Sequence, residues 1–238
     1  MAASAGRGRM RRIAVVSDVH ANLEALDAVL GQIGGEELVC LGDLVDYGAQ
    51  PNEVVAKIMR VGAKTILGNH DSAALSGDTS LFNAKAAMSS IWTRKKLTED
   101  SRHFLETLPE ELRMQVEGAK LYFTHGSPDD HLWEYLDPRT DSDLFGNFLD
   151  RLQVDGIGLG HTHLPYVWKD GARVIFNPGS VGQPRDGDRR AAYAVVTVDG
   201  DSVSVELRRV QYDFEKAASK IREAGLPASH SERLSTGS

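Results

Sequence analysis

Five short apolar runs in this chain each end in a polar cluster of His, Asp or Asn, and this repetition limits the fold more than any other feature. Ile13–Ser17 is followed by Asp18 and His20, Leu38–Leu41 by Asp43, and Ala63–Leu67 by Asn69, His70 and Asp71. Farther on, Leu121–Thr124 leads to His125, and Gly156–Leu159 to His161 and His163. Compact apolar runs closed by turn residues predict buried strands, and helical patterns separate the first three. Asn22 offers an N-cap to a helix over Leu23–Ile33, which Gly34-Gly35 stops. Pro51 suits the first turn of a helix running to Gly62, and Asn83 to about Leu108 reads as two helices split near Thr98.

The second half leans toward antiparallel pairing. Arg113–Val116 and Lys120–Thr124 flank Glu117-Gly118, Val167–Trp168 and Arg173–Phe176 flank Asp170-Gly171, and Ala191–Val198 and Ser202–Val210 flank Asp199-Gly200. Each predicts a hairpin. Helices are expected near Asp141–Leu152 and over about Phe214–Ala224, the latter stopped by Gly225 and Pro227. Strands alternating with helices give an α/β class and a single domain over 13–228. Residues 1–12 carry Arg7, Arg9, Arg11 and Arg12 and no acid, which predicts a disordered basic leader; Ser-rich 229–238 is expected to fray.

Composition excludes several function classes. No apolar run approaches the roughly 18 residues of a membrane span, and no secretory h-region is present, so a cytoplasmic protein is expected. The single cysteine, Cys40, rules out a disulfide framework or thiolate cluster and reads as strand filler. With 27 Lys+Arg against 34 Asp+Glu the net charge is −7, and residues 13–238 alone carry −11, which opposes nucleic-acid coating.

In open α/β sheets, ligands bind beyond the carboxyl ends of strands. One His or Asp there is ordinarily a turn former, but five segments delivering imidazole, carboxylate and amide donors to one edge point to metal. A nitrogen and oxygen set without sulfur suits borderline divalent ions such as Mn, Fe, Zn, Co or Ni, with manganese the expected choice.

Asp-x-His, Gly-Asp, Gly-Asn-His-Asp, His and Gly-His-x-His, in this order from Ile13 to about Pro184, resemble the calcineurin-like binuclear metallophosphoesterase superfamily. The run Asn177-Pro-Gly-Ser-Val-Gly-Gln-Pro-Arg-Asp186 is similar to its small prokaryotic branch related to diadenosine-tetraphosphatase. The resemblance implies a four-layer αββα sandwich of two mixed sheets flanked by helices. It implies one metal held by Asp18, His20 and His163, a second by Asn69, His125 and His161, and Asp43 bridging both. A metal-bridging hydroxide would then attack phosphorus in line. His70 would face the leaving group, with Asp71 on its other nitrogen; Asp71 as a turn residue is the alternative.

Arg185 could fork onto phosphate or remain a solvated charge, and Trp133 and Tyr135 could stack on a base or simply pack. Asn22 reads as a cap, and Asn177 as ordering its loop. In that superfamily, protein Ser/Thr phosphatases and symmetrical diadenosine-tetraphosphate hydrolases place an arginine where this chain has Tyr47, which donates one hydrogen bond and no charge. The expected substrate is therefore a small phosphodiester or nucleotide-type compound, with a phosphomonoesterase or protein phosphatase as the alternative. A non-catalytic interaction module of the same fold is the remaining alternative, disfavoured because all seven ligand positions and His70 are intact.

Overall fold

Neighbouring residues of strand β1 (Arg11–Val16) enter two different cores. Ile13 and Val15 join one apolar cluster, Ala14 and Val16 another, as the two-residue period of a strand buried on both faces requires. The chain continues through α1 (Leu23–Leu30), β2 (Glu37–Cys40), α2 (Pro51–Val61), β3 (Lys64–Thr65), α3 (Asn69–Ser76), α4 (Ala84–Lys96) and α5 (Glu99–Glu106). Then come β4 (Glu111–Val116), β5 (Ala119–Thr124), α6 (Ser142–Leu152), β6 (Gly156–Gly158), β7 (Tyr166–Asp170) and β8 (Arg173–Asn177). Strands β9 (Ala191–Asp199) and β10 (Ser202–Val210) precede α7 (Phe214–Glu223) and α8 (Ala228–Thr236). The structure, a computed structural model, describes residues 10–200 and 202–238.

Two five-stranded sheets result, ordered β10-β9-β1-β2-β3 and β4-β5-β6-β8-β7. Their facing sides share one core, in which Val15, Val39 and Leu41 of the first sheet's side meet Leu121, Phe123 and Phe176 of the second. Outside the first sheet, Val16 and Cys40 pack against Leu26 and Val29 of α1 and Val54 and Ile58 of α2. Outside the second, Tyr122, Ile157 and Ile175 pack against Phe145, Phe148 and Leu149 of α6. The four-layer arrangement of helices, sheet, sheet and helices is the one expected.

Each sheet is mixed. β1, β2 and β3 run parallel, as do β5, β6 and β8, while β9, β10, β4 and β7 pair antiparallel. All six parallel strands release the chain at their carboxyl ends into the loops that carry the candidate ligands. The three expected hairpins are present, and Thr98 caps α5 where a helix break was predicted.

Three expectations change. Arg11 and Arg12 are not leader but the start of β1, paired with Val198 and Thr197; the remainder of the expected leader, residues 1–9, lies outside the described residues. Asn69–Asp71, read as a strand-end turn, open α3. That helix has no apolar stripe to betray it, because its buried first turn faces polar groups rather than a core. The tail expected to fray from Ser229 is helical to Thr236, with His230, Ser231 and Leu234 buried. Leu234 joins Ala217, Ala218, Ile221 and Leu226, with Trp92 and Phe214 against them, so apolar burial anchors a helix whose serines hide it in the sequence. Among the described residues no helix is long and apolar enough to cross a membrane.

Leu234→Ala should therefore destabilise the protein by about 2–4 kcal/mol in equilibrium urea unfolding, where a frayed tail would give almost nothing.

Candidate metal centre and active site

Three of the strand-end loops, those after β1, β2 and β6, are held in backbone conformations that side chains ordinarily avoid. Asp18, His20, Ala21, Asp43, Asp46, Tyr47, His161 and His163 all have positive φ, between 49° and 68°. Left-handed turns at this density concentrate where an over-determined scaffold can sustain them. The scaffold is visible. Ser180 Oγ donates to the Asp18 carbonyl at 2.7 Å, Gly182 N to the same carbonyl at 3.0 Å, and Asn177 Nδ2 to the Gly160 carbonyl at 2.6 Å. Asn177 thus orders the His161–His163 loop, as expected, and Asn22 caps α1 while its amide also donates to the Gly182 carbonyl at 2.9 Å. At Gly68 any Cβ would lie 2.1 Å from Asp43 Oδ1, so only glycine lets the third loop approach the second.

These loops assemble two groups of donors, all buried. Asp18, His20 and His163 form one, and Asp43, His125 and His161 the other. Asn69 Oδ1 lies 3.1 Å from His125 Nε2, which adds it to the second group. Asp43 Oδ2 is 3.7 Å from His20 Nε2 and 3.3 Å from His125 Nε2, so one carboxylate faces both.

Tautomers decide what these contacts mean. His20 Nδ1 can only donate to the Val45 carbonyl at 3.0 Å, and His163 Nδ1 to the Gln183 carbonyl at 2.5 Å. In the neutral rings both Nε2 atoms are then lone pairs, and they face each other at 3.1 Å. Burial holds both imidazoles below the usual histidine value, for His163 with the Arg185 charge adding to it, so the neutral forms prevail. The second group repeats the pattern. His125 Nδ1 donates to the Leu41 carbonyl at 2.7 Å, which turns its Nε2 toward the Asn69 and Asp43 oxygens. Burial opposes a charge on His125, but the Asp43 carboxylate outweighs it and pushes the ring up to about 9. Asp18 Oδ1 and Asp43 Oδ2 are buried with no hydrogen-bond partner. Acceptors facing acceptors in a buried site fit divalent cations.

His70 sits at the first turn of α3, its backbone N donating to Asp43 Oδ1 at 2.9 Å. Its Nδ1 lies 2.8 Å from Asp46 Oδ2, not from Asp71. Asp71 instead accepts from the backbone N–H groups of Leu44, Val45 and Gly68 at 2.9, 3.2 and 3.1 Å. The expectation that Asp71 holds His70 is thus corrected: the carboxylate three residues after Asp43 reaches the ring, and Asp71 ties the Asp43 loop to α3. Burial works against the His70 imidazolium, yet the Asp43 and Asp46 carboxylates overcome it and hold its pKa above the usual value.

Aromatic rings enclose the imidazoles. Tyr47 lies 4.6 Å from both His20 and His70, and burial pushes its phenol up to about 12. Phe82, which drew no notice in the sequence, stacks on His70 at 4.4 Å and meets Trp133 at 5.4 Å. Tyr135 lies 3.9 Å from His161, whose Nε2 donates to the Trp133 carbonyl at 3.1 Å. Arg185 is half-buried: its guanidinium stands 6.0 Å from the Tyr47 ring, and its Nε is buried without a partner.

Residues 10–201 match the calcineurin-like phosphoesterase superfamily domain. The chain belongs to that superfamily. It is 39% identical over 246 aligned positions to an uncharacterized protein of Methanocaldococcus jannaschii, covering 94% of this chain and 98% of the relative. It is 30% identical to the phosphodiesterase YfcE of Escherichia coli, covering 82% of this chain and 91% of that one. A crystal structure of a metallophosphoesterase from Sphaerobacter thermophilus superposes with a TM-score of 0.81 at 37% identity, covering 97% of this chain and all of that chain.

Three mutations separate the roles drawn above. Asp43→Asn should abolish most of the rise in melting temperature that Mn²⁺ gives the chelator-treated protein, since both donor groups lose their shared carboxylate. Asp46→Asn should lower kcat roughly 10–10²-fold with Mn²⁺ binding retained. Asp71→Asn should chiefly lower the melting temperature, because one amide oxygen cannot serve three backbone donors.

Proposed function

We propose that the chain is a binuclear metal-dependent phosphoesterase acting on phosphodiester or nucleotide-type substrates. Asp18, His20 and His163 would hold one divalent transition-metal ion, Asn69, His125 and His161 the other, and Asp43 both. The observation that carries this reading is the Asp43 Oδ2 atom, buried, unpartnered and directed at imidazole nitrogens of both groups. Bound there, the ions would supply Lewis-acid charge at the phosphoryl group and make water acidic enough to act as a nucleophile near neutral pH. Manganese is the expected ion because the donor set is nitrogen and oxygen only.

The chain's own residues supply the remaining steps. Asp46 fixes His70 with Nδ1 as donor, which leaves Nε2 to carry the proton that the leaving oxygen takes as its bond to phosphorus breaks. Against burial, the Asp43 and Asp46 carboxylates hold the His70 pKa above the usual value, which favours the protonated ring that this role needs. Phe82 covers one face of the ring and limits its rotation. Tyr47 stays a neutral phenol beside His20 and His70, so it can donate one hydrogen bond to a phosphoryl oxygen without adding charge. An uncharged group at that place suits a diester better than a dianionic monoester. The 61% exposed Tyr135 ring beside His161 offers a stacking face for an aromatic or nucleoside leaving group. The relationship to a phosphodiesterase supports the same choice.

The deciding experiment is a substrate panel with added Mn²⁺: bis(p-nitrophenyl) phosphate, p-nitrophenyl phosphate, a dinucleoside polyphosphate and a phosphopeptide. Turnover of the diester or the nucleotide above the monoesters is expected, with His70→Ala losing roughly 10²–10⁴ in kcat while Mn²⁺ stoichiometry is unchanged. Preferential turnover of the phosphopeptide would sink the substrate assignment, and no turnover of any of the four would sink the enzyme.

A further inference from the structure

The C-terminal helix, which lies beyond the matched residues 10–201, brings two side chains to the edge of the site. The His230 ring stands 4.8 Å from Tyr47. One turn later, Arg233 Nη1 lies 3.4 Å from Gln183 Oε1, and Arg185 Nη2 reaches the same oxygen at 3.3 Å. Gln183 is 2% exposed, and its backbone carbonyl is the acceptor that orients His163. Two guanidinium groups therefore meet on one buried neutral amide, directly beside a metal-ligand histidine.

Their surroundings do not neutralise them. Surface arginines such as Arg12, Arg151, Arg173 and Arg208 sit against carboxylates. Among the described residues neither Arg185 nor Arg233 has an ion pair. One amide oxygen has two lone pairs and both are engaged, so the other N–H groups of each fork remain to be used. Arg185 Nε is among them, buried and unpartnered. Like charges brought together in a half-buried place repel, and an anion accepted by both forks relieves that repulsion and satisfies the free donors. The placement is held firmly: Gly187 N donates to the Gly237 carbonyl at 2.8 Å, tying the end of α8 to the loop after Arg185, and Leu234 is buried beneath.

We propose that Arg185 and Arg233, set by Gln183, form a two-guanidinium site for a second, non-reacting phosphate, which makes Arg233 a specificity-determining residue for substrates with more than one phosphoryl group. A simple diester brings one negative charge, and each further phosphoryl group of a polyphosphate chain brings another. Only the longer anion matches both the donor groups at the strand ends and the arginine pair beside them. The inference rests on the phosphoesterase reading for its substrate, but the arginine pair can be tested without turnover.

Arg233→Gln keeps helix propensity and length, and Arg233→Lys keeps the charge. On the full chain with Mn²⁺, kcat/KM for a dinucleoside tetraphosphate should fall roughly 10–10²-fold more in Arg233→Gln than it does for bis(p-nitrophenyl) phosphate, mainly through KM, with partial recovery in Arg233→Lys. Calorimetric titration of inorganic pyrophosphate into the metal-free proteins should show a similar loss of affinity in Arg233→Gln, at an unchanged melting temperature. Equal losses on the two substrates, or pyrophosphate binding indifferent to the substitution, would overturn the proposal. If the wild type hydrolyses neither substrate, the enzymatic reading fails, and the pyrophosphate titration alone decides whether the arginine pair binds anions.

Discussion

Two imidazole nitrogens that cannot donate to each other stand 3.1 Å apart in the interior of this protein, and the arrangement around them follows from that contact. Backbone carbonyls at Val45 and Gln183 fix the tautomers, so the repulsion is built in by the fold rather than left to a proton to resolve. At His125 the Leu41 carbonyl likewise fixes the ring, there with Nε2 turned to the Asn69 and Asp43 oxygens. Burying such acceptors without partners costs several kcal/mol each in a medium that cannot hydrogen-bond them, a cost that a shared cation removes. Six parallel strands bring the donor-bearing segments together at their carboxyl ends, and left-handed residues shape the loops after β1, β2 and β6.

Much of this was legible in the sequence because strand ends and metal donors leave independent marks. An apolar run followed by Asp-x-His predicts both a strand and a site, and five repetitions separate design from chance. What could not be read depended on distance across loops. Asp71 adjoins His70 in the sequence, and adjacency favoured it as the ring's partner. Helical geometry, however, points the Asp71 side chain back across the helix N-terminus to the amides of Gly68, Leu44 and Val45, leaving the ring to a residue 24 positions away. Phe82, His230 and Arg233 carried no local pattern at all. Their loops and helix owe their position to packing by Leu234 and Trp92, and polar, Ser-rich periodicity conceals such packing.

The loop after β2 concentrates the division of labour. Asp43, Asp46 and Tyr47 each have positive φ, so three nearby side chains leave the backbone in three directions. Asp43 faces the two donor groups, Asp46 orients the His70 ring, and Tyr47 lies across His20, His70 and His230. Its anchors are correspondingly spread. Asp71 holds the Leu44 and Val45 amides from α3, and the Tyr47 amide donates to Ser89 Oγ on α4 at 2.6 Å. His230 of α8 in turn lies 3.3 Å from the Lys85 carbonyl on that same helix.

A displacement of α4 or α8 is therefore felt first at Tyr47 and the arginine rim, whereas the metal donors answer to the sheets. Under the proposed function, most of the metal donors would sit on positions fixed by the strand ends, while Arg233 and His230 at the rim come from α8. The same function would account for how a chain at −7 takes an anionic substrate. Bound cations and the arginines would act at contact distance, and surface acids farther away than a Debye length of about 8 Å would contribute little to the field there.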